Sequence, residues 1–198
     1  MSEQDRPTRR LLLAGALAAA GAGFSPRMAG AQQFLPTPAC HDGDAPTLDQ
    51  GPGPFYKPRS PLRADLLEPG SKARLFELSG QVLTRSCKPL ERVLVDLWHS
   101  DDHGEYDNKG FRYRGHQFTD AAGRYRFRTN MPEVYPGRTR HFHVKAQAAN
   151  RPALTTQLYF PGEAGNARDF LFKRELLMKV AQAGDGLSGQ FDFVLDLR

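Results

Sequence analysis

Long hydrophobic runs are scarce in this chain. The apolar run Leu11 to Gly23 has thirteen residues, short of the roughly 20 that cross a bilayer as a helix, so no stable membrane insertion is expected. Basic clusters are lacking too. Residues 1–31 carry four Lys/Arg and two Asp/Glu, so without them the net charge falls from +5 to +3, and no Lys/Arg cluster bears a nucleic-acid-binding motif, which excludes nucleic acid as the partner. Cysteine is limited to Cys40 and Cys87. In an oxidising compartment such a lone pair reads as one structural disulfide and not as a metal site. Closing a loop of about 48 residues would contribute on the order of 4 kcal/mol in the chain-entropy account. Internal repeats and low-complexity stretches are absent, and the residues beyond 31 are too few for a second domain.

The N-terminus reads as an export signal. Thr8-Arg9-Arg10 leads into the apolar run, and Ala29-Gly30-Ala31 offers a small-x-small cleavage site before Gln32, the pattern of a twin-arginine signal over residues 1–31. The mature protein, residues 32–198, is therefore expected as one exported domain, periplasmic or extracellular. Residues 32–75 are rich in Pro, Gly and charge and read as an extended arm. Beyond them, six short apolar segments follow at 78–84, 93–98, 124–129, 140–146, 154–160 and 191–197. Turn signals separate them and no long helical pattern intervenes, which predicts an all-β antiparallel sandwich with long loops and little helix. Residues 166–180 predict short helical turns.

The densest chemistry lies in Tyr135-Pro-Gly-Arg-Thr-Arg-His-Phe-His143. On a strand, His141 and His143 point to the same face with Cα atoms about 7 Å apart, a workable bite for one metal ion. Imidazole takes zinc, copper, iron or nickel alike, and two such histidines also occur as surface or capping residues. A third ligand type decides between metals: tyrosinate, hard and anionic, favours Fe(III). Two tyrosines qualify, Tyr135 and Tyr106, both in loops just beyond predicted strands, where sites are commonly built.

These residues resemble the intradiol ring-cleavage dioxygenases, the family of catechol 1,2-dioxygenase and protocatechuate 3,4-dioxygenase. The resemblance runs through Gly53-Pro-Phe-Tyr56, Asp96-Leu-Trp-His99 with Tyr106 beyond it, Thr119 to Thr129, Tyr135-Pro136, Arg138 ahead of His141-Phe-His143, and Thr155-Thr-Gln-Leu-Tyr-Phe160. It implies one mononuclear non-haem Fe(III) per chain held by Tyr106, Tyr135, His141 and His143. By the same likeness Tyr135 is the ligand that leaves when a catechol chelates the iron, Arg138 stabilises charge on the substrate, and Gln157 sits beside it. The implied reaction joins a catechol-type substrate and O2, opening the ring between its two hydroxyl-bearing carbons to a cis,cis-muconate-type diacid.

The chain departs from the family in places. Five residues separate Tyr135 from His141, where relatives carry a longer insertion, and the usual Arg-Pro-Ala-His-x-His is Arg-Thr-Arg-His-Phe-His. A turn at Pro136-Gly137 is expected to fold Tyr135 back over the strand. Arg140 competes with Arg138 for the catalytic role, while His99, His103 and His116 are expected outside the ligand set. The helical dimerisation segment of catechol dioxygenases is missing, which brings the chain closer to a single protocatechuate-dioxygenase-type subunit; a homo-oligomer fits, its size unset. Two other readings compete: a copper or zinc site on the same sandwich, and a secreted transthyretin-like binding module without catalysis.

Overall fold

A computed structural model describes residues 45–197. The expected export signal and Cys40 lie outside those residues. The described residues form nine strands: β1 Leu75–Thr84, β2 Leu94–Trp98, β3 Arg114–Phe118, β4 Arg124–Asn130, β5 His141–Gln147, β6 Leu154–Tyr159, β7 Lys179–Ala183, β8 Gly186–Gln190 and β9 Phe193–Leu195. Two 3-10 turns, Ala164–Ala167 and Arg174–Leu176, account for the short helical turns expected there.

The strands build two sheets, ordered β4-β1-β8-β7 with β9 also on β1, and β3-β2-β5-β6. Strand β4 illustrates the rule that places them: Arg124, Arg126 and Arg128 are exposed while Tyr125, Phe127 and Thr129 are buried, a clean period of two. The core between the sheets takes Phe76, Leu78, Val82, Tyr125 and Phe127 from one side and Val95, Leu97, Phe142, Val144, Ala146 and Leu158 from the other. Phe142 touches both Phe76 and Phe160 with ring centroids 5.2 and 5.3 Å apart, the tilted contacts that aromatic rings favour.

The all-β sandwich matches expectation, but the pairing is not wholly antiparallel. Strand β1 runs parallel to β8 through Phe76–Ser79 and parallel to β9 through Val82–Thr84. Between these stretches the backbone carbonyl of Phe191 presses on Gly80, where a Cβ would stand 1.7 Å from the oxygen. Glycine at position 80 thus lets the returning chain shift from one half of β1 to the other. Strands β3, β7 and β8 were not foreseen, because Arg-Gly-His-Gln-Phe and Gly-Leu-Ser-Gly-Gln carry too little apolar content to signal a strand; backbone pairing holds them instead.

The second sheet is buried on both faces. Its outward row from β5 and β6, His141, His143, Gln157 and Tyr159, is buried, as are Asp96 and Trp98 from β2. The cover is the N-terminal arm and the loops. The amide of Gln50 donates to Thr155 at 2.8 Å, that of His116 to Pro61 at 3.0 Å, and that of Leu66 to Arg128 at 2.7 Å, so the arm ties across both sheets. Polar side chains on a doubly buried sheet need partners or ligands, and that outer face is where the chemistry collects.

Candidate metal centre

Cross-strand register assembles the site. Strand β2 pairs with β3 and β5, and β5 with β6, so Arg114, Trp98, His143 and Gln157 form one row across the sheet, with His141 beside Tyr159 in the next. The indole of Trp98 stacks on the imidazole of His143 at 5.0 Å and 6°. On the other side the arm arrives at Gly53, whose φ of +69° suits glycine, and a Cβ there would meet His143 Cε1 at 3.2 Å.

Three donor atoms converge in this shell. His141 Nδ1 donates to the carbonyl of Thr139 at 2.6 Å, which leaves the lone pair of its Nε2 free to bind. That Nε2 lies 3.2 Å from His143 Nε2 and 3.3 Å from Tyr106 Oη. Burial pushes the pKa of His141 down to about 4 and that of His143 well below the ordinary value, with neighbouring positive charges adding to the effect on His143. Both rings are therefore neutral near pH 7, the form that ligates.

Tyr106 sits in the loop after β2, buried, its ring stacked on Phe55 at 4.4 Å and 11°. Burial raises its pKa, opposed by the charges of Arg138 and Arg114. Ionising this phenol in so dry a place therefore calls for a further cation. Tyr135 stands more open, its ring edge-on to Tyr106 at 6.0 Å and to Phe55 at 5.2 Å. The expected turn at Pro136-Gly137 is present, closed by the amide of Arg138 donating to Tyr135 at 2.9 Å.

The donor set fits a hard trivalent ion. His143 Nε2 and Tyr106 Oη stand 3.2 and 3.3 Å from His141 Nε2, spacings that match ligands held roughly 2 Å from one ion. No group of three or more His, Cys, Asp or Glu suited to a metal occurs among the described residues, so a metal ion held at this pair of histidines would need a tyrosine as a further ligand.

The two arginines separate cleanly. Arg138 Nε donates to Asp169 Oδ2 at 2.9 Å and its Nη2 to Gln157 Oε1 at 2.6 Å, and its charge reaches Tyr106, His141 and His143. Arg140 turns away into ion pairs with Glu133 and Glu163 and a bond to the carbonyl of Pro132. His99 is buried between Ser100 and Thr129, His103 is exposed, and His116 contacts Ser60; all three stand outside the donor cluster. Reasoning from sequence missed Asp169, whose carboxylate also accepts from the amides of Thr139 and Leu171. It also missed Arg114, and the stacking role of Phe55. No local pattern marks the first two, because each acts only once distant strands and loops meet.

The family model described as Dioxygenase matches residues 52–197. The chain is similar to the dioxygenase domain of a dioxygenase carbohydrate-binding protein fusion from Streptomyces sp. SirexAA-E, at 55% identity and a TM-score of 0.76 over 78% of this chain and 100% of that one. It is similar to the protocatechuate 3,4-dioxygenase beta chain of Burkholderia cepacia, 31% identical over 60% of this chain and 63% of that one. A chlorocatechol 1,2-dioxygenase of Cupriavidus pinatubonensis is 29% identical over 61% of this chain and 56% of its own. The chain thus spans less than two thirds of these two curated relatives.

Proposed function

The chain belongs to the intradiol ring-cleavage dioxygenase family, and on that premise we propose that it opens a catecholic ring with O2, using one Fe(III) held by Tyr106, Tyr135, His141 and His143. The observation that carries this reading is that Tyr106 Oη and His143 Nε2 each lie within 3.3 Å of His141 Nε2, with the ring of Tyr135 edge-on to that of Tyr106. Bound there, ferric iron supplies Lewis acidity and a template for the two oxygens of the diol.

Each residue of the chain has its part. Tyr135, the more exposed phenol, takes the proton of a substrate hydroxyl, while Tyr106, locked under Phe55, keeps its place. Arg138 carries a charge that does not titrate away and stabilises negative charge developing on the ring. Gln157 and Asp169 fix its two ends. The arm at Gly53–Tyr56 keeps water off the histidines. In the overall reaction the bond between the two hydroxyl-bearing carbons breaks along with the O–O bond. Each carbon gains one oxygen atom and ends as a carboxylate, giving a cis,cis-muconate-type diacid.

The remaining expectations join this reading: a twin-arginine export signal over residues 1–31, a single mature domain over 32–198 and a Cys40–Cys87 bridge. The bridge is supported by the absence of any free cysteine among the described residues. Non-reducing peptide mapping of exported material is expected to recover the two cysteines in one linked fragment, and two free thiols would remove the bridge. Oxygen uptake across a panel of catechol, hydroxyquinol and protocatechuate tests the activity itself. One O2 consumed per diacid formed is expected with at least one of them; iron-loaded, folded protein that consumes no O2 with any would refute it.

A further inference from the structure

Arg114 has no place in the chemistry above, yet its guanidinium is among the most deeply buried charges in the protein, 1% exposed. Among the described residues it has no hydrogen-bonded carboxylate. Its Nη1 donates to the carbonyl of Phe55 at 2.7 Å and its Nε to the carbonyl of Asp107 at 3.1 Å, while Nη2 is buried without a partner. The carboxylates of Asp107 and Asp96 act on it only through space, and a buried cation held by carbonyls in place of a bonded carboxylate is costly and calls for a reason.

The two carbonyls supply one. Asp107 follows Tyr106 in the chain, and Phe55 forms the other layer of the 4.4 Å stack on Tyr106. These segments lie 59 and 7 residues away from Arg114 in sequence. One planar fork therefore holds both layers from behind, a geometry that the compact head of lysine does not reproduce. Arg114 also stands in the sheet row of Trp98 and His143, and its charge acts on the phenol of Tyr106.

Resting on the metal-centre reading, we infer that Arg114 is a positioning residue for Tyr106: it clamps the Phe55–Tyr106 stack through two backbone carbonyls and sets a fixed positive charge beside the phenolate ligand. It touches neither substrate nor metal. Groups that orient a metal ligand from behind typically change metal affinity 10- to 100-fold when altered.

The test uses the full mature protein loaded with iron, comparing the parent with Arg114→Gln, Arg114→Lys and Arg112→Gln. Arg112 is the control, an exposed arginine paired with Asp101 and Asp107. Removing a cation beside a phenolate raises the energy of its electrons. Arg114→Gln is therefore expected to move the tyrosinate-to-iron absorption band to longer wavelength and to weaken iron retention against a chelator by about 10-fold or more. Arg114→Lys, which keeps the charge and loses the fork, is expected to weaken retention with a smaller band shift, and Arg112→Gln to match the parent. Should Arg114→Gln fail to fold, retention in Arg114→Lys decides. Parent-like band and retention in both Arg114 variants overturn the inference. A parent that binds no iron removes the metal-centre reading, and this inference with it.

Discussion

Replacing Arg138 by alanine perturbs the proposed chemistry and a buried ion pair together, and the two effects differ in size and in assay. For turnover, the loss is that of one fixed charge aimed at developing negative charge, about 10²- to 10³-fold in kcat, or roughly 3–4 kcal/mol. For stability, Asp169 loses the 2.9 Å bond from Arg138 Nε while its side chain stays 1% exposed. Stranding a buried carboxylate outright costs about 3–5 kcal/mol. Here the amides of Thr139 and Leu171 still donate to it at 2.8 and 2.9 Å, which brings the expected cost to about 2 kcal/mol. That corresponds to a fall in Tm of roughly 4–8 °C for a chain of this size. Iron, colour and the spectral response to added catechol are expected to persist, because Arg138 bonds none of the four ligands through its side chain. Oxygen uptake at saturating catechol measures the first effect and thermal melting the second. Arg140→Ala serves as the contrast: its side chain is held by Glu133 and Glu163, so it is expected to lose stability with turnover changed only a few-fold. Normal turnover in Arg138→Ala beside an inactive, folded Arg140→Ala would refute the assignment and exchange the two roles.

Other perturbations probe the support of the centre. In Gly53→Ala the new Cβ meets His143 Cε1 at 3.2 Å in a left-handed backbone conformation, so a stability loss of about 1–2 kcal/mol is expected. Iron retention should fall more steeply than the melting temperature; unchanged retention would show that the imidazole yields freely. His99, whose pKa is lowered to about 4, chiefly by burial, contributes to the pH dependence of folding alongside His141 and His143. The unfolded chain takes up this proton near pH 6.5 and the native state does not, so stability present at neutral pH is lost as pH falls from about 6.5 towards 4, by about 2 kcal/mol between pH 7 and 5. Denaturant melts of the parent and His99→Gln check it, and equal pH slopes in the two would contradict it.

Much of the centre could be read from sequence because the motif is local. His141 and His143 share a strand face by period two, and the turn at Pro136-Gly137 sets Tyr135 against Tyr106, so nine consecutive residues carry three of the candidate ligands. Gln157 was reached by resemblance alone, and register sets it opposite His143 across β5 and β6; Tyr106, on a loop, meets His141 Nε2 at 3.3 Å. What stayed hidden depends on contacts between segments far apart in the chain. Asp169 meets Arg138 across 31 residues, and Arg114 joins Phe55 across 59; neither bond has a sequence signature. The fold was legible where burial alternates, as in β4. It was illegible in β3 and β8, whose strand character comes from ladder pairing with stronger neighbours and not from their own side chains. The parallel turns of β8 and β9 along β1 escaped for the same reason, since their only marker was the close approach at Gly80.

The central claim is the tyrosinate-bound ferric centre, and metal analysis of the purified protein together with its visible spectrum tests it most directly. The account predicts about one iron per chain and a wine-red tyrosinate-to-iron absorption that Tyr106→Phe largely removes, since phenylalanine offers no phenolate. Folded, colourless protein carrying zinc or copper in place of iron would contradict it.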